Sequence, residues 1–346
     1  MINKIKELKS KLGNKVAIPA HHYQIQEIVK IADFVGDSYK LAVLCSKIEA
    51  EFIVFCGVRF MAEGAVVLAS ADQKIFLPEL SAGCPLADFI TAQNMENALT
   101  EISDVISEQI VPVVYMNSSN DVKEVCGRNE GAVCTSSNAK KIVEYYFQKG
   151  KSVFFAPDYN LGINTAREMN IPESNIIKVH RDLTFRQTEL PATPKLFIWD
   201  GNCRVHKRFQ INDVTDFRQK YPQGKLIVHP ECTEEIIKTS DLSGSTAKIY
   251  NEIKNSPGGS IWGVGTEYHF VQRLALEFPD KIIVPLRKSV CSNMAKISLK
   301  NLYETLKSIN DHLENGTQLR NLVTVTETHK VNSRKALQKM IKIVEG

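Results

Sequence analysis

The sequence lacks the short cysteine pairs that mark the commonest small metal and redox motifs. Its 346 residues include eight cysteines, and no two of them form a C-x-x-C pair. Zinc ribbons and ferredoxin-type iron-sulfur motifs depend on that spacing and are therefore excluded. Eight cysteines are also too few for a disulfide scaffold in a chain of this length, so we expect free thiols. Any cysteine cluster must be assembled from residues that are distant in sequence.

Segments typical of membrane, nucleic-acid-binding and low-complexity proteins are missing as well. No apolar run approaches the roughly 18 residues of a membrane-spanning helix, and the N-terminal MINKIKELKSKLGNK is charged and amphipathic rather than a signal sequence. The net charge is +4, but lysine and arginine form no basic stripe interleaved with aromatic residues. We therefore expect a cytoplasmic protein of two or three packed units that binds neither nucleic acid nor a membrane.

One pattern of segments occurs three times along the chain. A strand-like run ends in polar residues, a helical stretch leads to a hydroxyl-bearing motif, and a second strand and helix follow. The interval from His21 to Ser38 equals that from His229 to Thr246, 17 positions in each case, while the middle repeat is longer. A further strand then ends each repeat at a cysteine, namely Cys84, Cys203 and Cys291. Such internal similarity predicts a repeated architecture.

The alternation of strands and helices predicts an α/β fold of three similar three-layer units with parallel sheets. In such sheets function gathers at the carboxyl ends of the strands, where these polar residues lie. If the three units pack around a common axis, one cysteine, one polar strand end and one hydroxyl from each converge on a single site. Three consecutive units without a shared centre fit the repeat equally well. The predicted parts are an N-terminal helix 1–14, units 15–110, 111–223 and 224–310, and a C-terminal helical segment 311–346.

Side-chain alternation sorts the polar strand ends by face. In the stretch HPEC, His229 and Glu231 share a face and Cys232 points away, so the three residues do not form one chelate. A histidine and a glutamate on one face suit acid-base chemistry, and a structural hydrogen-bonded pair is equally open. The same argument places two further pairs on single faces, His21 with Tyr23 and Tyr115 with Asn117.

The hydroxyl and cysteine positions leave alternatives open. Ser38, Ser136 and Thr246 fit helix N-caps, and helix N-termini also bind anions. His206, three residues after Cys203, fits either a pocket or the surface. The three repeat cysteines precede helical segments whose amino ends favour thiolates. They fit a four-iron cluster with one open, Lewis-acidic iron, or a zinc ion with an open position. The other cysteines fit core positions, namely Cys45, Cys56, Cys126, Cys134 and Cys232.

A set of short motifs resembles the quinolinate synthase (NadA) family over about residues 15–300. The motifs include AHHYQ, GDS, AGCPLAD, YMNSS, CTSSNA, GNCRVH, HPEC, SGST and CSNM, in that order. The resemblance implies a three-domain α/β architecture with pseudo-threefold symmetry and a central 4Fe-4S cluster. It also implies the reaction, in which iminoaspartate condenses with dihydroxyacetone phosphate to give quinolinate, phosphate and two waters in NAD biosynthesis.

The resemblance also implies roles for individual residues. The cluster ligands would be Cys84, Cys203 and Cys291, leaving one iron open. The acid-base residues would be Glu231, Tyr23, His21 and His229. The substrate-binding set would be His21, Ser38, Tyr115, Met116, Asn117, Ser136, His229, Pro230, Glu231 and Thr246. An L-aspartate-oxidising enzyme would supply the iminoaspartate.

The chain departs from the family pattern at three places. Arg59 stands where the family usually shows histidine, Ser292 replaces a common proline, and the segment KEVCGRNEGAVC is several residues longer than typical. Two other functions remain open at this point. One is a zinc-dependent lyase or hydrolase that uses the same three thiolates, and the other is a non-catalytic iron-sulfur sensor.

Overall fold

The computed structural model describes residues 1–45, 47–186, 190 and 193–346. The strands are Val16–Ala17 (β1), Pro19–His21 (β2), Phe34–Gly36 (β3), Phe52–Val54 (β4), Lys74–Phe76 (β5), Val111–Tyr115 (β6), Ala132–Cys134 (β7), Val153–Ala156 (β8), Ile176–Val179 (β9), Leu196–Trp199 (β10), Lys225–Val228 (β11), Leu242–Ser243 (β12), Ile261–Gly265 (β13) and Ile282–Pro285 (β14).

Helices alternate with these strands. They are Ile2–Leu12 (α1), Gln26–Val29 (α2), Ser38–Cys45 (α3), Arg59–Leu68 (α4), Ala92–Ile106 (α5), Asn120–Arg128 (α6), Ala139–Phe147 (α7), Tyr159–Glu168 (α8), Ile211–Lys220 (α9), Glu234–Thr239 (α10), Thr246–Asn255 (α11), Tyr268–Glu277 (α12), Leu299–Asn315 (α13) and Glu327–Glu345 (α14). The predicted α/β class is therefore confirmed. Within the described ranges, no helix combines the length and apolar character that a membrane span requires.

The strands are short and apolar because helices cover both faces of each sheet. Every residue of β6, β8 and β10 is buried, and their sequences VPVVY, VFFA and LFIW have almost no polar position. Continuous apolar runs of this kind are typical of parallel sheets with helices on both sides. Polar residues are consequently displaced to the strand ends, where the chain leaves the sheet.

The three sheets are parallel and share one order of strands. The second sheet runs β7-β6-β8-β10 with β9 beside β10, and the third runs β12-β11-β13-β14. In the first segment, β1, β4 and β5 form one sheet, and β2 and β3 form a separate two-stranded sheet. An isolated bridge between Ala20 and Cys56, which follows β4, connects the two, and together they are called the first sheet. The order of strands is therefore the same in each sheet. The second strand of the segment comes first, and it is followed by the first strand, the third strand and the strand that precedes a repeat cysteine. The pseudo-threefold packing of these sheets about one centre stays a prediction.

A local detail repeats in the first and third sheets. Asp33 accepts a hydrogen bond from the backbone N–H of Ile18 (2.8 Å) and donates its own N–H to the carbonyl of Ile18 (2.9 Å). Asp241 makes the same pair with Leu226, at 2.6 and 3.0 Å. In both sheets an aspartate that precedes the second strand therefore fixes the start of the pairing with the first strand.

The cores differ among the sheets. The first two sheets share one apolar core with the C-terminal helices, while the third sheet has a separate cluster on each face. Helix α14 packs against α6, α7, α4 and β7, and α1 packs against α13. The buried face of α14 contains Ala336, Leu337 and Met340. The C-terminal helices thus join the first two sheets.

Candidate active site

Residues from all three sheets line one central cavity of about 70 Å³. Most of the residues predicted from the sequence lie in its wall, namely His21, Tyr23, Ser38, Cys84, Tyr115, Asn117, Ser136, Cys203, His229, Glu231, Thr246 and Cys291. Two predicted residues lie outside it, since Met116 is buried in the core of the first two sheets and Pro230 lines a separate cleft. The polar strand ends and the three repeat cysteines therefore face a common volume.

Two histidines at strand ends have the same local geometry. The N–H of Tyr23 donates to Nδ1 of His21 (3.2 Å), and the N–H of Glu231 donates to Nδ1 of His229 (3.3 Å). Burial lowers the pKa of both histidines to about 3, and Arg273 beside His21 and His206 beside His229 add to this effect. Each imidazole is therefore neutral, with its hydrogen on Nε2, and can donate a hydrogen bond to a bound molecule.

The residues that alternation assigns to the opposite face do point away from the cavity. His22 accepts a hydrogen bond at Nδ1 from Arg273 (2.9 Å) and lies against Phe270. The thiol of Cys232 lies 3.7 Å from the carbonyl of Gly265 in an apolar cluster of the third unit. Cys232 and Glu231 therefore do not bind one ion together, in agreement with the prediction from side-chain alternation.

A chain of hydrogen bonds crosses the cavity and connects the three sheets. The hydroxyl of Tyr115 donates to Oε1 of Glu231, and Nδ1 of His206 lies 2.9 Å from Oε2 of the same carboxylate. On the other side of the ring, Nε2 of His206 lies 3.1 Å from Oγ1 of Thr266, which lies 2.8 Å from the hydroxyl of Tyr23. This arrangement provides a path for protons from Tyr23 to Glu231.

The side chains of this hydrogen-bond chain differ in their protonation states. Burial opposes ionisation of Glu231, but the neighbouring His206 and the hydrogen bond from Tyr115 outweigh it and hold the Glu231 pKa below its ordinary value. Burial and then the charge of Glu231 raise the pKa of Tyr115 and of Tyr23 well above the ordinary value. At neutral pH Glu231 is therefore ionised, while the neighbouring phenols of Tyr115 and Tyr23 are neutral.

The three hydroxyl residues reach the cavity from helix N-termini without serving as caps. Asp37 precedes Ser38 and accepts the N–H of Lys40 (2.9 Å), and the side chain of Ser245 caps the helix that begins at Thr246. Ser136 lies two residues before the N-cap of α7. Their interpretation as N-caps is therefore wrong, because a neighbouring residue takes that place. The hydroxyls are left free to bind an anion at the helix ends.

The three repeat cysteines also share one local geometry. The carbonyls of Cys84, Cys203 and Cys291 each accept a hydrogen bond from the N–H four residues later, at 3.3, 3.0 and 3.0 Å. A single turn of 3₁₀-helix follows each cysteine, and the longer helices α5, α9 and α13 begin only after it. The cysteines therefore precede helical segments, as predicted, but the segment that follows each of them first is a 3₁₀ turn rather than an α-helix. All three line both the central cavity and an outer cleft of about 490 Å³.

The sequence matches a known protein family over nearly its whole length. The profile described as Quinolinate synthetase A protein matches residues 3–342. The chain belongs to the quinolinate synthetase A family. The resemblance indicated by the motifs is thus confirmed, and with it the assignment to an enzyme family.

Curated relatives cover nearly the whole chain. A quinolinate synthase of Streptomyces coelicolor is 41% identical over 99% of this chain and 88% of its own length. Those of Bacillus cereus and Listeria innocua are 38% and 39% identical, each over 99% of this chain and 93% of its own length. The family assignment therefore rests on nearly the whole chain rather than on one segment.

One of the three departures from the family motifs, Arg59, lies outside the cavity. Arg59 is the first residue of α4, its side chain is 61% exposed, and it forms an ion pair with Glu63 (3.0 Å). The cavity wall in this region is instead formed by Phe60 and Met61. An arginine is accommodated here because it extends into solvent.

The donor set of the cavity fits a metal centre. All eight cysteines are free, and burial raises the pKa of Cys84 to about 12 and also raises those of Cys203 and Cys291. A buried thiol ionises when a cation compensates its charge, as metal binding does.

Ligands of one ion lie close to one another because each lies about 2.0–2.3 Å from it. In the described part of the chain, only Cys203, His206 and Glu231 have ligand atoms all within 4.8 Å of one another. The three cysteines are more widely spaced, which suits separate irons of a cluster better than one zinc ion.

Two buried carboxylates hold the backbone of the cysteine loops. The N–H of Cys203 donates to Asp158 (3.0 Å), and the N–H of Cys291 donates to Glu267 (3.2 Å). Each carboxylate also caps the helix that follows it, and Val58 occupies the corresponding position before α4. This pair was not predicted from the sequence, although both acids follow a buried strand of their repeat and precede a tyrosine, in PDY and TEY.

A buried cation joins the first cavity wall to the second. Lys123 in α6 is fully buried, and its Nζ donates to the carbonyl oxygens of Ser118 (2.9 Å) and Phe60 (3.5 Å). Burial lowers the Lys123 pKa to about 8. Since Ser118 follows Asn117 directly, Lys123 fixes the end of β6 against the start of α4. The burial of Lys123 could not be predicted from the sequence, because a lysine in an amphipathic helix usually faces solvent.

Proposed function

We propose that the chain is a quinolinate synthase that condenses iminoaspartate with dihydroxyacetone phosphate to quinolinate, phosphate and two waters. One observation carries the proposal. Three thiols and a hydrogen-bonded set of acid-base groups, contributed by all three sheets, line the same cavity. The proposal extends the family assignment to this chain and includes the expected units 15–110, 111–223 and 224–310, each with one cysteine, flanked by segments 1–14 and 311–346.

The three cysteines are proposed to hold a 4Fe-4S cluster. Cys84, Cys203 and Cys291 supply three thiolates, and the shared cavity that they line supports one common centre. When bound, such a cluster supplies a Lewis-acidic iron with a free position for a substrate oxygen. The remaining chemistry depends on the side chains that surround the cavity.

The neutral donors of the cavity are proposed to bind the anionic groups of the substrates. Nε2 of His21 and of His229 can each donate to a carboxylate, because Nδ1 is already occupied by a backbone N–H. The side-chain oxygen of Asn117 has no hydrogen-bond partner in the described chain. Carboxylates and a phosphate are further stabilised at helix N-termini by three hydroxyls, those of Ser38, Ser136 and Thr246. Holding both substrates in one cavity makes their condensation effectively intramolecular.

Proton transfer is proposed to follow the chain of hydrogen bonds that runs from Tyr23 to Glu231. The hydroxyl of Tyr23 faces the cavity and is connected through Thr266 to Nε2 of His206. A proton removed from the bound intermediate can thus pass to His206, whose Nδ1 is held by the ionised Glu231. The carboxylate orients the ring and stabilises its positive charge, and Tyr115 fixes the carboxylate from the other side.

The proposal places the enzyme in the cytoplasm, next to an L-aspartate-oxidising activity. Iminoaspartate is the oxidation product of L-aspartate and hydrolyses readily in water. A separate enzyme of that class must therefore supply it. The proposed substrates are small molecules, and the function needs neither a nucleic acid nor a membrane.

The function can be tested by direct product formation. Protein purified without oxygen is mixed with freshly generated iminoaspartate and dihydroxyacetone phosphate, and quinolinate is measured by its absorbance and mass. We expect quinolinate and phosphate in equal amounts, and none when either substrate is omitted. Absence of quinolinate from protein that contains its full complement of iron would refute the proposed activity.

A further inference from the structure

The cavity contains a compact set of metal ligands that differs from the three cysteines. The ligand atoms of Cys203, His206 and Glu231 all lie within 4.8 Å of one another. A sulfur, an imidazole nitrogen and a carboxylate oxygen together suit a borderline ion such as Zn²⁺, which binds such ligands at about 2.0–2.3 Å. Small side-chain movements are enough to bring the three atoms to that distance from one ion.

Outer hydrogen bonds orient two of these ligands as a metal site requires. Nδ1 of His206 faces Glu231, while Nε2 lies 3.1 Å from Oγ1 of Thr266. One carboxylate oxygen of Glu231 is held by Tyr115, which leaves the other for an ion. Histidine ligands in proteins usually donate their second ring N–H to such a partner, and this fixes both tautomer and ring orientation. Cys203 is positioned separately, because its backbone N–H donates to Asp158 (3.0 Å).

The charge of the occupied site suits its burial. Both His206 and Glu231 are only 2% exposed. Zn²⁺ displaces one proton from the thiol of Cys203, so that a thiolate, a carboxylate and a neutral imidazole balance the charge of the ion. A neutral assembly avoids the cost of a buried net charge. Three protein ligands would leave a fourth position of the ion for a water molecule.

Filling this site and filling the three-cysteine site exclude each other. Cys203 belongs to both ligand sets, and it lines both the cavity and the outer cleft of about 490 Å³ through which an ion can arrive. A zinc ion here would also occupy Glu231 and His206, which the proposed proton path requires. One small ion would thus block both the cofactor and the acid-base groups.

We propose that Cys203, His206 and Glu231 form a mononuclear Zn²⁺ site in protein whose three-cysteine centre is empty, and that zinc bound there prevents this centre from being filled. The site goes beyond the proposed function, because it is a state in which the enzyme is switched off. The zinc site itself does not depend on that function, since the ligands would bind zinc whatever the reaction is, whereas its effect on the three-cysteine centre rests on the proposed function.

Zinc titration of single variants tests the ligand set. Reduced, metal-free full-length protein is titrated with Zn²⁺ against a coloured chelator, and with Co²⁺ for its thiolate charge-transfer band. We expect one ion per chain, and affinity at least about tenfold weaker in Cys203→Ala, His206→Asn and Glu231→Gln, given that even outer partners contribute that much. Cys84→Ala and Cys291→Ala are the matched controls and should retain wild-type affinity. Thermal unfolding without metal shows whether each variant is folded.

Three outcomes would overturn the proposed site. Equal loss of zinc in the Cys84, Cys203 and Cys291 variants would place the ion on the three thiols. Wild-type affinity in Glu231→Gln or His206→Asn, or no binding of one ion by the wild type, would show that the compact set does not bind zinc. None of these results concerns quinolinate formation, so failure of this proposal is distinct from failure of the proposed function.

A competition experiment tests the consequence. Protein with and without one equivalent of Zn²⁺ is supplied with ferrous iron and sulfide under anaerobic conditions, and incorporated iron is counted. We expect zinc to prevent iron uptake by the wild type but not by Glu231→Gln, which retains all three cysteines. Equal inhibition in both proteins, or none in the wild type, would contradict the exclusion.

Discussion

At the scale of single residues, the central feature is a carboxylate that is buried but remains ionised. Glu231 is 2% exposed, and its two oxygens are bound by Tyr115 and by His206. A buried charge is costly unless it is paired and hydrogen-bonded, and these two partners supply both conditions. The position is therefore suited to hold a positive imidazole transiently during proton transfer.

Replacement of Glu231 by glutamine tests this role. Glu231→Gln preserves the shape of the side chain but removes the charge that stabilises a protonated His206. We expect kcat to fall by about 100- to 10,000-fold, the range typical of a lost acid-base group, while iron content stays normal. The exposed Glu235→Gln is the matched control and should have wild-type activity. Near-normal quinolinate production by an iron-loaded Glu231→Gln protein would remove Glu231 from the proton path.

Alternation along strands explains which of these residues could be predicted. It placed His229 with Glu231 and turned Cys232 away, because these residues follow a strand directly. It could not rank His206, whose partners Glu231 and Thr266 lie 25 and 60 positions away and meet it only through packing between segments. The three hydroxyls were misread as N-caps because residue type does not distinguish a capping serine from its neighbour.

At the scale of secondary-structure elements, the contact between α6 and α14 holds the C-terminal helix against the rest of the protein. The two helices approach so closely at Gly127 that a Cβ there would lie 1.9 Å from the backbone oxygen of Asn332. The contact is completed by hydrogen bonds from Ser333 to the carbonyl of Asn120 and from Asn332 to Glu124. Glycine is therefore required for the approach of α14 rather than for helix conformation.

Two helix glycines give opposite predictions. Gly127→Ala should lower the free energy of unfolding by about 1–3 kcal/mol, because the added methyl group overpacks the contact with α14. Gly64→Ala in α4 is the matched control, since no atom outside its own helix lies within 4 Å of the added Cβ. It should raise stability by about 0.5–1 kcal/mol through helix propensity. Denaturant unfolding measures both, and equal effects of the two substitutions would contradict the close contact.

The elements themselves were largely predictable, whereas their contacts were not. Apolar runs and intervening amphipathic segments indicate the strands and helices because burial dictates residue type. The 3₁₀ turns after Cys84, Cys203 and Cys291 were not foreseen, since a single turn leaves no periodicity. The approach of α14 to α6 was equally hidden, because a lone glycine in a helical segment has several explanations.

At the scale of the whole molecule, three parallel sheets with the same strand order contribute to one cavity. Each provides polar strand ends and the cysteine that follows its last common strand. The repeat in the sequence suggested this arrangement, but it could not distinguish three units around one centre from three units in a row. Packing between units decides that point, and it is not encoded in the spacing of residues within a unit.

The most direct measurement is the iron and sulfide content of single cysteine variants purified without oxygen. The account predicts that Cys84→Ala, Cys203→Ala and Cys291→Ala each lose the bound iron, because one cluster needs a thiolate from every sheet. Cys232→Ala should retain it, since that thiol faces away from the cavity. Wild-type iron and sulfide in any of the first three variants would contradict the claim that the three cysteines together hold one cluster.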